Sequence, residues 1–485
     1  MNIRGSIYWS FASQSLIFII SFGNTIALAR ILTPHEFGIF AIAVAAQAVV
    51  QIFVNFGVSA YVTQHQDLTP GVLTSAFTVN AIVLVMFSTV LLSVSFVTQS
   101  LLGNVEAGNV LRILAISALV NIFAFRSTAM LAREMAFKII SLVTLLSVMV
   151  TAAVTLGSAL LGASYMSAAW GILAGSVLQA VMYNILGFRH VSLRVSLLGS
   201  REIFRFGMTM SLLSGASALA ARMSEIVLGR VQGMSALGFY SRATGITAII
   251  QDNIYATATK ISYVKMADES RKTGSLGPTL LRSLQLITGL LWPVQIGLAI
   301  TAGPVIRFMY GDKWTMAATP LAFILIAQAI MLMFGMNWEV FTLTGNLRRQ
   351  ARLEITRTAL GAIVFLICAQ FSLVAAAASR VVEALIGLFL YRGKIAELAR
   401  VEQSQLRRIY GEGALLTICA VLPVLILMTI WHWSALTPLA PLFACIGAGV
   451  ALWLMGLHVL RHPLREEMQV IMRSVQGRFG AATRD

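Results

Sequence analysis

Stretch after stretch of this 485-residue chain runs for roughly 20 residues with few or no charges, the length a helix needs to cross the hydrocarbon core of a bilayer. Fourteen such spans can be drawn, at about residues 8–29, 37–60, 74–98, 109–130, 139–161, 166–187, 204–228, 236–258, 281–303, 319–343, 355–371, 374–391, 413–432 and 438–460. With 58% hydrophobic residues, 11% charged residues and a mean hydropathy of +0.84, a water-soluble fold would leave a massive apolar surface exposed. The runs are continuous rather than alternating, which argues against a transmembrane barrel. The reading is therefore an all-α integral membrane protein of about 14 transmembrane helices. The first run, Tyr8 to Ala29, is too long for a signal-peptide core and lacks a following cleavage pattern, so it is expected to remain as a helix.

Lys and Arg outnumber Asp and Glu by 35 to 19, and in a membrane chain that excess first reports topology rather than a nucleic-acid partner. With the N-terminus inside, 27 of the 35 basic residues fall in inner segments, whereas Arg30, Arg112, Arg230, Arg307 and Lys313 lie outside. Both termini are therefore expected in the cytoplasm. The eleventh and twelfth spans share only about 35 residues, with a soft break at Gln370-Phe371-Ser372. Basic segments at both ends nevertheless demand two crossings. The external loops are short throughout.

The turn Ala29-Arg30-Ile31-Leu32-Thr33-Pro34-His35-Glu36-Phe37-Gly38-Ile39-Phe40 recurs 200 residues later as Gly229-Arg230-Val231-Gln232-Gly233-Met234-Ser235-Ala236-Leu237-Gly238-Phe239-Tyr240. Arginine, glycine and an aromatic keep register. Further on, Val49-Val50-Gln51 is answered by Ile249-Ile250-Gln251. An internal duplication explains this, as in transporters built from two related halves.

A charge at the centre of a membrane helix costs about 2.5–3.5 kcal/mol on insertion scales, so each one retained asks for a reason. Arg222 and Glu225 share a face at i, i+3, Arg380 and Glu383 repeat that spacing, Arg242 and Asp252 lie in the eighth span, and Glu339 lies in the tenth. The pairs can be self-neutralised salt bridges or can line a polar cavity. A cavity lined by Arg30, Arg222, Arg230, Arg242 and Arg380, with Gln51 and Gln251, would be cationic and suited to phosphate, for which guanidinium offers paired donors. For Arg30 and Arg230, snorkelling at a helix end is the plainer reading. Asp252, Glu225, Glu339 and Glu383 are the in-membrane carboxylates available for proton or sodium coupling. No other cofactor is expected.

Cys368, Cys419 and Cys445 lie inside apolar runs, and neither they nor the six histidines have metal-ligand spacing. No nucleophile elbow or phosphate-binding glycine loop is present, so no enzyme is indicated. Gly289, Pro293, Gly297 and Pro304 predict a kink in the ninth span. In the tail, Met468, Ile471, Met472, Val475 and Phe479 follow helical spacing opposite Arg473 and Arg478, as in a helix lying on anionic headgroups.

The stretch from Ala29 to Ala41, followed by Asn55-Phe56-Gly57-Val58-Ser59-Ala60 and Gln64, resembles the polysaccharide-export flippases of the MATE/MurJ/Wzx superfamily, and looks closest to the Wzx-like oligosaccharide flippases. That resemblance implies two pseudo-symmetric six-helix bundles, 1–190 and 200–395. To these the chain adds a helix pair at 411–461 and a basic amphipathic tail at 462–485. It further implies alternating access and transfer of an undecaprenyl-diphosphate-linked oligosaccharide from the inner to the outer leaflet of a bacterial inner membrane. The expected partners are that lipid-linked glycan, membrane lipids and a polysaccharide polymerase or export complex, with no nucleic acid. A MATE-like multidrug or cation antiporter shares the architecture but would favour an acidic cavity. A membrane glycan polymerase or ligase would need a substantial external loop.

Overall fold

The computed structural model describes residues 3–52, 69–187 and 222–469, together with 58, 62, 194–197, 200 and 204. Every regular element among them is helical, and eleven helices are long and apolar enough to cross a membrane. The chain is a multi-pass membrane protein. Of the fourteen expected spans, the second, seventh and eighth have no counterpart among those eleven. The span at 37–60 and most of that at 204–228 run into residues outside the described set, and the eighth is interrupted by the polar turn Gln251–Tyr255. By its contacts the chain divides into two compact units, Met1–Gly238 and Phe239–Asp485.

The first unit holds α1 (Ile3–Ile31), α2 (Pro34–Ile52), α3 (Pro70–Phe96), α4 (Glu106–Arg133), α5 (Phe137–Leu160) and α6 (Ser167–Leu186), followed by a helical stretch at 222–232. Thr33 and Glu36 begin α2 as a reciprocal cap. The Thr33 N–H and hydroxyl donate to Glu36 Oε2 at 2.7 and 2.8 Å, and the Glu36 N–H donates to Thr33 Oγ1 at 3.3 Å. In the duplicate, Gly233 turns the chain at φ +88° instead. The duplicated glycines have a steric reason. A Cβ built at Gly38 would lie 1.8 Å from the Met234 carbonyl oxygen, and one at Gly238 would lie 2.0 Å from the Pro34 carbonyl oxygen. Positions 34 and 234, like 38 and 238, are equivalent in the repeat. The crossing of α2 with the first turn of α7 (Met234–Ile250) is thus reciprocal, backbone against backbone. Elsewhere in this unit α5 packs on α6, α3 on α4 and α1 on α5.

In the second unit α7 passes through the π-helical turn Gln251–Tyr255 into α8 (Ala256–Thr273), followed by α9 (Gly277–Ile300), α10 (Ala302–Tyr310), α11 (Ala318–Leu332) and α12 (Asn337–Leu343). Next come α13 (Leu347–Phe371), α14 (Leu373–Ala399), α15 (Gln403–Ile430) and α16 (Leu439–Val459). The short eleventh and twelfth spans become helices of 25 and 27 residues because their basic flanks are helical as well. Ser372 separates them, extended at φ −167° with its hydroxyl accepting from the Ala375 N–H at 3.0 Å.

α9 runs through Pro293 as one helix. Proline at 293 removes the N–H that would bond the Gly289 carbonyl, and the Trp453 indole N–H of α16 donates to that carbonyl at 3.0 Å. The last helix pair is therefore attached to the weakened turn of α9. His462, 1% exposed, packs its ring against Gly289 beside it.

Candidate functional site

In the first unit, Arg30 is exposed in the last turn of α1, where a cation complements the helix dipole. Gln51 is exposed near the end of α2. Arg222 and Glu225 form the i, i+3 pair at 3.0 Å. Arg230 Nη1 donates to the backbone carbonyl of Ser100.

The second unit holds the larger cluster. Arg380 Nη1 meets Glu383 Oε2 at 2.8 Å, and its Nε donates to the Tyr240 hydroxyl at 3.0 Å while the guanidinium lies 4.6 Å from the centre of the Phe365 ring. The other oxygen of Glu383 takes Arg357 Nη1 at 2.5 Å. Arg357 Nη2 bonds Glu354 Oε1 at 2.6 Å, and the Tyr391 hydroxyl donates to Glu354 Oε2 at 2.9 Å. Two guanidinium groups and two carboxylates thus sum to zero charge between α13 and α14, with side-chain exposures from 9% to 25%. Such a network needs every member, because removing one leaves a charge in a poorly solvated site. Gly361 makes room for it, since a Cβ there would lie 2.6 Å from Glu383 Cγ.

Arg242 is placed differently, its guanidinium 5.7 Å from the centre of the Tyr310 ring. Tyr310 in turn meets Trp314 edge-on at 6.1 Å, and Trp314 meets Phe239 at 6.0 Å. Gln251 and Asp252 sit in the π-helical turn, with Asp252 exposed. Glu339 is half-buried in α12, just beyond a break in the helix at 333–336.

Met336 in that break adopts φ +61°, and the interruption frees backbone groups that side chains then satisfy. The Met336 N–H donates to the Tyr255 hydroxyl at 3.3 Å, and the Tyr410 hydroxyl donates to the Met333 carbonyl at 2.5 Å. Phe334 stacks on Tyr391 at 5.6 Å between ring centres. The π-helical turn, the broken helix and the charge network are consequently joined by side-chain contacts. Interrupted helices with inward polar groups are the usual place for binding sites in transporters.

Arg357 falls at the start of the eleventh span and Glu354 just before it, yet their i, i+3 spacing repeats that of the two pairs singled out from the sequence. Tyr255, Tyr391 and Tyr410 carry no sequence signal, because a tyrosine in an apolar run is ordinarily packing, whereas Tyr240 is the aromatic that keeps register with Phe40 in the repeat. Asn55, Gln64 and the tail residues Ile471, Met472, Val475 and Phe479 lie outside the described residues.

A family described as "Polysaccharide biosynthesis protein" matches residues 27–319, more than half of the chain. Among curated relatives, "Lipopolysaccharide biosynthesis protein WzxC" of Escherichia coli (strain K12) is 20% identical over 63% of this chain and 63% of its own. "Succinoglycan biosynthesis transport protein ExoT" of Rhizobium meliloti (strain 1021) is 25% identical over 68% of this chain and 67% of its own. The chain thus spans about two thirds of these relatives. Among solved structures, the lipid II flippase MurJ in an inward closed conformation superposes with a TM-score of 0.70 at 12% identity, covering 94% of this chain and 99% of that one. An inward-facing MATE family transporter of the MOP superfamily gives 0.54 at 15% identity, covering 81% and 99%. These neighbours are flippases and transporters, not enzymes. The chain belongs to the polysaccharide biosynthesis protein family, on the fold it shares with MurJ and the MATE transporters.

Proposed function

We propose that this protein moves an undecaprenyl-diphosphate-linked oligosaccharide, the repeat unit of an exopolysaccharide, capsule or O-antigen, from the inner to the outer leaflet of a bacterial inner membrane. Transport proceeds by alternating access through a cationic central cavity, with both termini in the cytoplasm. The observation that carries this reading is the family match over 27–319, which includes Arg30, Arg222, Arg230 and Arg242. A glycosylated diphosphate cannot enter hydrocarbon alone, and guanidinium groups held in a wet lumen replace its hydration. An apolar groove of about 390 Å³ between α9, α15 and α16, walled by Leu290, Pro293, Val421, Val424 and Trp453, offers hydrocarbon surface for a polyprenyl chain. Proton or sodium coupling falls to Asp252, Glu225, Glu339 or Glu383, and a polymerase or export complex takes up the delivered unit.

The test is the lipid-linked glycan inventory of cells lacking this chain, with the outer-leaflet fraction read by an external glycan-modifying reagent. Complete undecaprenyl-linked units confined to the inner leaflet support the proposal and identify the glycan. Normal outer-leaflet delivery, with a defect only in polymerisation or drug tolerance, refutes it.

A further inference from the structure

A second cavity, of about 520 Å³, lies within the second unit between α8, α9 and the residues that follow α16. Its body is apolar: Ile254 and Ile261 on one side, Leu286 and Leu290 on the other, and Leu464 from the tail. Ile254, Ile261 and Leu290 are 39%, 55% and 36% exposed, so this wall is open to surrounding lipid rather than sealed in protein. One end is charged. Lys265 and Arg282 line it with Glu467, whose Oε1 meets Arg282 Nη2 at 3.2 Å, and Glu466 Oε2 lies 3.5 Å from the same nitrogen.

The dimensions suit one leaflet. From Lys265 back to Ile254 along the helical chain is about 16 Å, and from Arg282 to Leu290 about 12 Å, at 1.5 Å per residue. Half of a hydrocarbon core of roughly 30 Å is about 15 Å. An acyl chain can therefore run along the apolar wall while its headgroup stays at the charged end.

The charges specify the headgroup. Two cations and two carboxylates leave the local sum near zero, which gives a purely anionic lipid little net attraction but offers both signs to a headgroup that carries both. We propose that this cavity binds a phospholipid bearing a primary amine, as in phosphatidylethanolamine. Its phosphate lies between Lys265 and Arg282, and its ammonium donates to Glu467. The amine matters because it brings N–H donors to a carboxylate, which a trimethylated headgroup of the same charge cannot do. Because Glu466 and Glu467 belong to the segment after α16, the lipid also fixes that segment against α8 and α9. The site is independent of what the protein transports.

The test uses the full-length protein in phosphatidylcholine nanodiscs, with phosphatidylethanolamine, phosphatidylglycerol or undecaprenyl phosphate titrated in. Retained lipid is read by native mass spectrometry. Phosphatidylethanolamine is expected to be retained severalfold over the other three. K265Q/R282Q should abolish retention, E467Q should erase the preference over phosphatidylcholine, and I261W should block the groove. I363W, on a lipid-exposed face of α13, controls for folding and should change nothing. Equal retention of phosphatidylethanolamine and phosphatidylcholine overturns the proposal, as does retention that survives K265Q/R282Q. Preferential retention of undecaprenyl phosphate overturns it too, by assigning the cavity to the lipid carrier.

Discussion

Replacing Gly238 by alanine tests whether the duplicated glycine is kept for contact. The new Cβ would stand 2.0 Å from the Pro34 carbonyl oxygen, about 1.4 Å inside the 3.4 Å at which ordinary contact begins. That oxygen is main chain in the first turn of α2 and cannot rotate away, so the two helices must separate. Overpacking of this kind costs about 1–3 kcal/mol. Alanine also gains about 0.5–1 kcal/mol over glycine inside a helix, which masks part of the loss. Gly245, on the same helix α7, has nothing within 4 Å of its would-be Cβ and isolates the propensity term. G245A should raise the unfolding midpoint slightly and G238A should lower it, the difference between them being the crowding cost. The mirror variant G38A meets the Met234 carbonyl at 1.8 Å and should behave as G238A does. Since one separation of the helices relieves both overlaps, G38A/G238A should cost less than the two single variants added together. Equal midpoints for G238A and G245A in the same detergent would refute the argument, and strict additivity would refute the shared crossing.

Glu383→Gln leaves Arg357 and Arg380 sharing too few carboxylate oxygens, and unfolding should become easier by about 3–5 kcal/mol, whereas Arg380→Lys, which keeps the charge but loses the Nε bond to Tyr240, should cost less. Trp453→Phe strands the Gly289 carbonyl at about 1–3 kcal/mol. In a Pro293→Ala background the restored N–H can take that carbonyl, so the same substitution should cost measurably less, a coupling that a double-mutant cycle reads directly. Burial holds the His462 imidazole below its ordinary 6.5, against an opposing pull from Glu412. A base that is harder to protonate when folded stabilises the docked tail above that ordinary value and loses the contribution as pH falls below it, so the protection of 457–469 against hydrogen exchange, relative to the intrinsic rate at each pH, should fall on acidification in the wild type and lose that dependence in His462→Gln.

How much of this was legible in the sequence depends on what each feature rests on. Membrane helices are dictated by backbone polarity and apolar length, so eleven of the expected spans have counterparts among the described residues, and the break at Ser372 shows in the sequence as a soft polar interruption. Their ends could not be placed in the same way. Hydropathy falls where α13 and α14 leave the apolar zone, but their hydrogen bonding continues through Arg348, Arg349, Arg352 and Arg392. That left Glu354, the partner of Arg357, outside the expected span. The i, i+3 rule found Arg380 with Glu383 and Arg222 with Glu225, because those contacts are local. It could not find Arg357 with Glu383, which lie 26 residues apart, nor Arg380 with Tyr240, 140 apart.

The charge network also changes how a membrane arginine should be counted. Summed along the sequence, Arg242 and Arg380 are two cations available to a phosphate. In the fold, Arg380 is held by Glu383 and Tyr240, and Arg242 lies against Tyr310. A lone arginine in hydrocarbon would be expensive, but one already ordered in a neutral network could meet the diphosphate of the proposed substrate by exchanging one oxygen partner for another. The carboxylate it releases is then free to take a proton. Glu383, bonded to both Arg357 and Arg380, is the residue at which substrate capture by an arginine and proton uptake would favour one another most directly. If transport couples to protons there, Glu383→Gln should remove the pH dependence of flipping in reconstituted vesicles, while Asp252→Asn leaves it intact. The opposite pattern would move coupling to the π-helical turn.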